Sequence, residues 1–185
     1  MAKLSIEEIR RRFESAKEFN EIFDAFEQAI EQRLDNIELY RQLFWNNTLK
    51  AEELCLFGEK LAKEFSHLNY DVYMWLASVF EVTHSVYDNY ELAFRYYRKA
   101  ADAKPTELSP YLNAANCYEP DLKIPPLNLL IDFLKQGVTN IPQPTPLQQK
   151  LAALYELAGN DEMSKFYRRK ADEGTSPPPA LPPEA

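Results

Sequence analysis

The sequence predicts an all-α protein of about five antiparallel helix pairs with a proline-rich C-terminal end. Three observations carry that expectation. Five valines, eight isoleucines and six threonines are few in a chain of 185 residues, whereas Leu, Ala, Glu, Lys, Phe and Tyr dominate. That balance favours helix over sheet. Apolar residues also recur at helical spacing in one segment after another. The prolines, finally, are unevenly placed: none before Pro105, eight from Pro105 to Pro146, and five between Pro177 and Pro183. A proline inside a helix costs roughly 3 kcal/mol. The first hundred or so residues can therefore be nearly continuous helix, and the next forty or so must be helices punctuated by stops.

The elements follow in order. Ile6, Ile9 and Phe13 lie on one helical face, and Ile22, Phe26, Ala29 and Ile30 on the next. Tyr40, Leu43 and Phe44 mark a third helix, and Leu54, Phe57, Leu61 and Phe65 a fourth. Asp35-Asn36, Ser66-His67-Leu68-Asn69, Asp88-Asn89 and Gly159-Asn160-Asp161 read as breaks. About ten helices of roughly 10–18 residues result, and short breaks between amphipathic helices imply antiparallel pairs.

The pattern repeats. Tyr73-x-x-Leu76-Ala77-x-x-Phe80 returns as Tyr111-x-x-Ala114-Ala115-x-x-Tyr118. Fainter copies stand at Tyr40-x-x-Leu43-Phe44 and Leu151-Ala152-x-x-Tyr155. The starts lie about 33–38 residues apart, the range of helical-hairpin repeats. Between copies stands Ala93-x3-Tyr97-x2-Ala100-x4-Pro105: two small residues, an aromatic, and a proline that stops the helix. Tyr155-x3-Gly159-Asn-Asp-Glu-Met-Ser164-x6-Ala171 repeats the helix–turn–helix, and Leu130, Leu134, Gly137 and Pro142 keep the spacing after an insertion at Pro120 to Pro126.

On these residues the chain resembles the tetratricopeptide-repeat family, strongly over 71–173 and by periodicity alone before that. The family's first-helix Trp is Tyr73 or Tyr111 here, its Gly is Ala77 or Ala115, and Glu81 to Asp88 add about one helical turn. The resemblance implies a right-handed superhelical stack, with residues 1–173 as the repeat domain and 174–185 as a flexible, disordered tail. It implies that Ala93 and Ala100 sit where helices cross closely. Replacing either with Leu is expected to cost about 1–3 kcal/mol, measured by thermal denaturation.

Catalysis is not expected. The two histidines, His67 and His84, stand apart without ligand-spaced neighbours, and four glycines form no phosphate-cradling loop. Cys55 and Cys117 fall on apolar stripes and read as buried structural thiols rather than nucleophiles or metal ligands. No cofactor is expected. Carboxylate pairs such as Glu52-Glu53 read as first-turn charges that complement the helix dipole. A net charge of −8 argues against binding nucleic acid, and no apolar run is long enough to span a bilayer. The charged, amphipathic start is unlike a signal peptide, so a cytoplasmic protein is expected.

The expected function is that of a non-catalytic adaptor or scaffold that takes a partner peptide or protein subunit in a concave groove. Beside the core stripes of the first helices runs a second stripe: Arg41, Gln42 and Trp45; Met74, Trp75 and Ser78; Asn113 and Asn116; and Lys150. In a tetratricopeptide-like stack this stripe lines the groove, and both tryptophans of the protein lie on it. Its likeness to carboxylate-clamp members is partial, because the paired basic residues are incomplete. The alternative is a structural subunit docked permanently in a larger complex through its ends or convex face. An enzyme or small-molecule-binding helical domain is the weaker reading.

Overall fold

The computed structural model describes residues 3–83 and 86–175, with backbone alone at 83, 86–89 and 175. Helix begins where the sequence supplies a cap. The Ser5 hydroxyl accepts the Glu8 N–H at 3.2 Å and opens α1 (Ile6–Ser15), whose first turn carries Glu7 and Glu8. After α2 (Phe19–Glu31), Arg33 takes a left-handed φ of 55° and the Leu34 N–H reaches back to the Ala29 carbonyl at 3.0 Å. Asn36 then caps α3 (Ile37–Phe44), accepting the Glu38 N–H at 2.9 Å. The order continues with α4 (Ala51–Glu64), a 3-10 turn at Ser66–Leu68, α5 (Asn69–Thr83) and α6 (Val86–Ala103). Beyond Pro105 come α7 (Ser109–Asn116), α8 (Leu127–Asn140), α9 (Thr145–Leu157) and α10 (Asp161–Thr175). Gly159, at φ 71°, ends α9 in the left-handed conformation that glycine adopts without strain, and Asn160 accepts the Met163 N–H at 3.1 Å at the start of α10.

The described residues thus hold ten α-helices, in two compact units, Met1–Lys104 and Pro105–Ala185. In the first, α1 packs on α2 and α3, α2 on α4, α3 and α4 on α5, and α5 on α6. In the second, α7 packs on α8 and α9, α8 on α9, and α9 on α10. Within each unit first helices lie beside first helices (α1, α3 and α5; α7 and α9), and α4 and α8 lean on the next first helix. This is the packing of stacked hairpins, and the fold is tetratricopeptide-like.

Aromatic rings fill the core of the first unit. Phe26 lies 4.9 Å from Phe57 and 6.0 Å from Tyr40 between ring centroids, and Phe13 lies 5.8 Å from Tyr40. The Tyr40 hydroxyl donates to the Leu34 carbonyl at 2.6 Å, which ties α3 to the loop before it. Ala93 and Ala100 are fully buried. In the second unit the Tyr111 ring lies 4.7 Å from Phe133 between centroids, tilted by 31°. A Cβ at Gly137 would stand 2.8 Å from the Tyr111 ring, so only glycine lets α8 come this close to α7.

Several expectations are corrected. Asp88-Asn89 is no break: both residues lie within the first turn of α6 (Val86–Ala103). α3 and α7 have only 8 residues each, shorter than the expected range. Ile6 is exposed rather than core, and Cys55 is half-buried rather than buried, whereas Cys117 is buried. His84 and the proline-rich segment 176–185 lie outside the described residues.

Burial pushes the phenols of Tyr40 and Tyr96 well above the ordinary tyrosine value of 10.0, with the Asp35 carboxylate adding to the effect at Tyr40. A raised acid pKa keeps the neutral form in the folded chain while the unfolded chain ionises. The associated stability is therefore complete below the ordinary value and lost as pH rises past it. Denaturant midpoints are expected to hold steady to about pH 9 and to fall by about pH 11.

Candidate partner-binding surface

The second stripe of the first unit is built on α3 and α5. At about 100° per residue, Tyr40, Leu43 and Phe44 face the core, and Arg41, Gln42 and Trp45 turn one step away. Trp45 is the residue that ends α3. Its backbone N–H still bonds the Arg41 carbonyl at 3.2 Å, which holds the residue at the helix terminus, and it is 48% exposed. Trp75, half-buried on α5, meets it edge-to-face, with ring centroids 6.4 Å apart and planes at 76°. The Arg41 guanidinium lies 3.9 Å over the Trp75 ring and pairs with the Glu38 carboxylate one turn earlier. The cation therefore covers one face of Trp75, and its charge is matched locally. Its Nε is buried and has no hydrogen-bond partner. A corner of two indoles results, open chiefly on the Trp45 side.

The neighbouring residues divide. Gln42 is exposed beside the corner. Met74 and Ser78 are half-buried, and the Ser78 hydroxyl donates to the Met74 carbonyl of its own helix at 3.0 Å. In the second unit, Asn116 is exposed on α7 and accepts the Lys150 Nζ of α9 at 2.8 Å. Asn113 is half-buried, and its backbone carbonyl takes the Cys117 thiol at 3.4 Å. The fold thus gathers Arg41, Trp45 and Trp75 into one cluster and joins Asn116 to Lys150. Ser78 is turned back on its own backbone.

Two features escaped the sequence reading. Glu38 neutralises Arg41, and their i,i+3 spacing was the available signal. A cleft of about 550 Å³ between α4 and α6 is lined by Glu52, Cys55, Glu91, Leu92 and Arg95, with the Arg95 guanidinium 3.6 Å from the Cys55 sulfur. Those residues come from different hairpins, so no linear motif announces them. His67 stands exposed 3.4 Å from the Asp35 carboxylate. Among the described residues no group of three or more His, Cys, Asp or Glu could hold a metal ion, and no helix is long and apolar enough to cross a membrane.

Comparison with known proteins agrees with the packing. No protein-family model matches the sequence, and no curated protein matches it. Solved structures do. A crystal structure of the MamA protein aligns with a TM-score of 0.51 at 16% identity, covering 91% of this chain and 89% of that one. MamA of MSR-1 aligns at 0.50 and 18%, covering 91% and 92%. A chain in the structure of Naa15/Naa10 bound to HypK-THB aligns at 0.53 and 17%, where this chain spans 94% of its own length but 25% of the other. These neighbours are tetratricopeptide-like or tetratricopeptide-containing, and at such identities they show the fold alone.

Proposed function

We propose that the protein is a non-catalytic interaction scaffold that holds a partner peptide or subunit against the first-helix face formed by α3 and α5. The observation that carries this reading is the indole corner. Tryptophan is costly to leave in water, yet Trp45 is half exposed beside a second tryptophan on a stripe of helical hairpins. Exposed aromatic anchors of this kind concentrate binding energy. Gln42 on this unit supplies a polar group for a partner's backbone, and Asn113, Asn116 and Lys150 form a separate polar surface on the second unit. Met74 supplies apolar bulk, while Ser78 contributes little because its proton is already used. The likeness to a subunit of a complex with a named protein partner supports the same general role. Work in the cytoplasm, within a multi-protein complex, fits this role.

Truncation tests it. Trp75→Ala is expected to weaken partner binding by about 2 kcal/mol, roughly 30-fold in Kd, with helical circular dichroism unchanged. Asn116→Ala is expected to weaken it less, because Lys150 keeps water as an alternative partner. Leu56→Ala, at an exposed residue of α4, serves as the control. Affinity capture with each variant, followed by titration of the captured partner, decides the matter. Full binding by a folded Trp75→Ala protein would place the partner elsewhere. The last hairpin is then the next surface to examine, since Leu157 and Phe166 are both exposed there.

A further inference from the structure

We propose that the Trp45–Trp75 corner binds a polyproline-II segment of a partner protein. The inference rests on the scaffold reading and narrows it to one class of ligand. Three properties of the corner select that class.

The first is shape. Two indole planes at 76°, with centroids 6.4 Å apart, form an angle whose walls are flat and apolar. Pyrrolidine rings stack on such walls, and a polyproline helix presents them at regular intervals with little conformational entropy left to lose. The second is hydrogen bonding. Each indole N–H is a donor that accepts nothing, and neither has a partner among the described residues. A polyproline-II strand has no internal hydrogen bonds, so its carbonyls are free acceptors, and its prolines bring no competing N–H. A helical ligand has already used its carbonyls, and a β-strand ligand needs a sheet edge, which is absent among the described residues. The third is charge. Arg41, the cation of the cluster, is occupied by Glu38 on one side and by the Trp75 face on the other. The corner is therefore balanced in charge and complements an uncharged ligand better than an acidic or basic one.

The protein carries its own reporter. Trp45 and Trp75 are its two tryptophans, so the tryptophan emission of the folded protein arises at this corner. The probe is a ten-residue polyproline peptide, with a glycine–serine peptide of equal length as control, titrated into the full chain. The expected result is a saturable emission change with polyproline and none with the control. Trp45→Phe keeps a ring but loses the donor and is expected to raise Kd about tenfold. Trp75→Ala, with circular dichroism unchanged and Trp45 still reporting, is expected to abolish saturation. Absence of a saturable change with polyproline, or an equal response to glycine–serine, overturns the proposal. The scaffold reading is unaffected by that outcome, since it stands on the capture experiment. Concentration-dependent self-association that disappears on deleting residues 176–185 would assign the corner to a second copy's proline-rich segment, and would overturn the assignment to a partner protein.

Discussion

Phe26→Ala is expected to remove about 3–5 kcal/mol of stability, the range for truncating a fully buried phenylalanine whose surroundings relax only partly. The ring is 0% exposed and sits between Phe57, at 4.9 Å, and Tyr40, at 6.0 Å and 72°. Tyr40 cannot collapse into the space, because its hydroxyl is held on the Leu34 carbonyl at 2.6 Å. Phe57 can move only by giving up Phe19, whose centroid lies 5.7 Å away. The site is thus braced from both sides, which places the loss toward the upper part of the range. Both tryptophans lie in the Met1–Lys104 unit, so urea unfolding followed by tryptophan emission reports the unit that contains Phe26. Leu56→Ala is the control, because Leu56 is exposed on α4 of the same unit and its truncation is expected to change stability by no more than about 0.5 kcal/mol. An unchanged midpoint for Phe26→Ala would mean that the aromatic cluster is not the core of this unit.

The repeat architecture was legible because it is written locally. Tyr40, Leu43 and Phe44, or Tyr111, Ala114 and Ala115, are spaced for one face of a helix, and all of them are buried. The small residues Ala93 and Ala100 are fully buried, and Gly137, which the repeat spacing picked out, sits at a close approach to Tyr111. The breaks at Asn36 and Gly159 were equally plain, and there the structure shows a side-chain cap and a left-handed glycine. Asp88-Asn89 misled because the same residue types that end helices also begin them, and only the neighbouring helix boundary distinguishes the two. The candidate surface was half legible. Periodicity put Trp45 and Trp75 on one stripe, but that their rings meet at 6.4 Å depends on how α3 sits against α5. The cleft between α4 and α6 depends on tertiary placement entirely.

Asn46→Ala is expected to cost about 3 kcal/mol, as much as the loss of a large apolar side chain, although periodicity gives this residue no role. Asn46 is buried just after α3. Its amide nitrogen donates to the Phe13 carbonyl at 2.9 Å and to the Ala16 carbonyl at 3.0 Å, groups that the end of α1 leaves without intrahelical partners. Its amide oxygen accepts the Thr48 N–H at 3.0 Å and the Thr48 hydroxyl at 2.6 Å. One side chain therefore closes the C-terminus of α1 and shapes the loop that leads into α4. Alanine leaves the Phe13 carbonyl buried and unpaired, a penalty of about 1–3 kcal/mol, and frees the loop as well. Asn46→Asp separates the two halves of the role. A carboxylate still accepts from Thr48 but turns an oxygen toward two carbonyl oxygens, so at neutral pH it is expected to destabilise at least as much as alanine. Burial and those carbonyls raise the carboxyl pKa, and the protonated acid regains one donor. The destabilisation relative to wild type should accordingly shrink as pH falls from about 7 to about 4.5. Denaturant midpoints of both variants at the two pH values test this, and a pH-independent gap for Asn46→Asp would show that the amide is not the donor that closes α1.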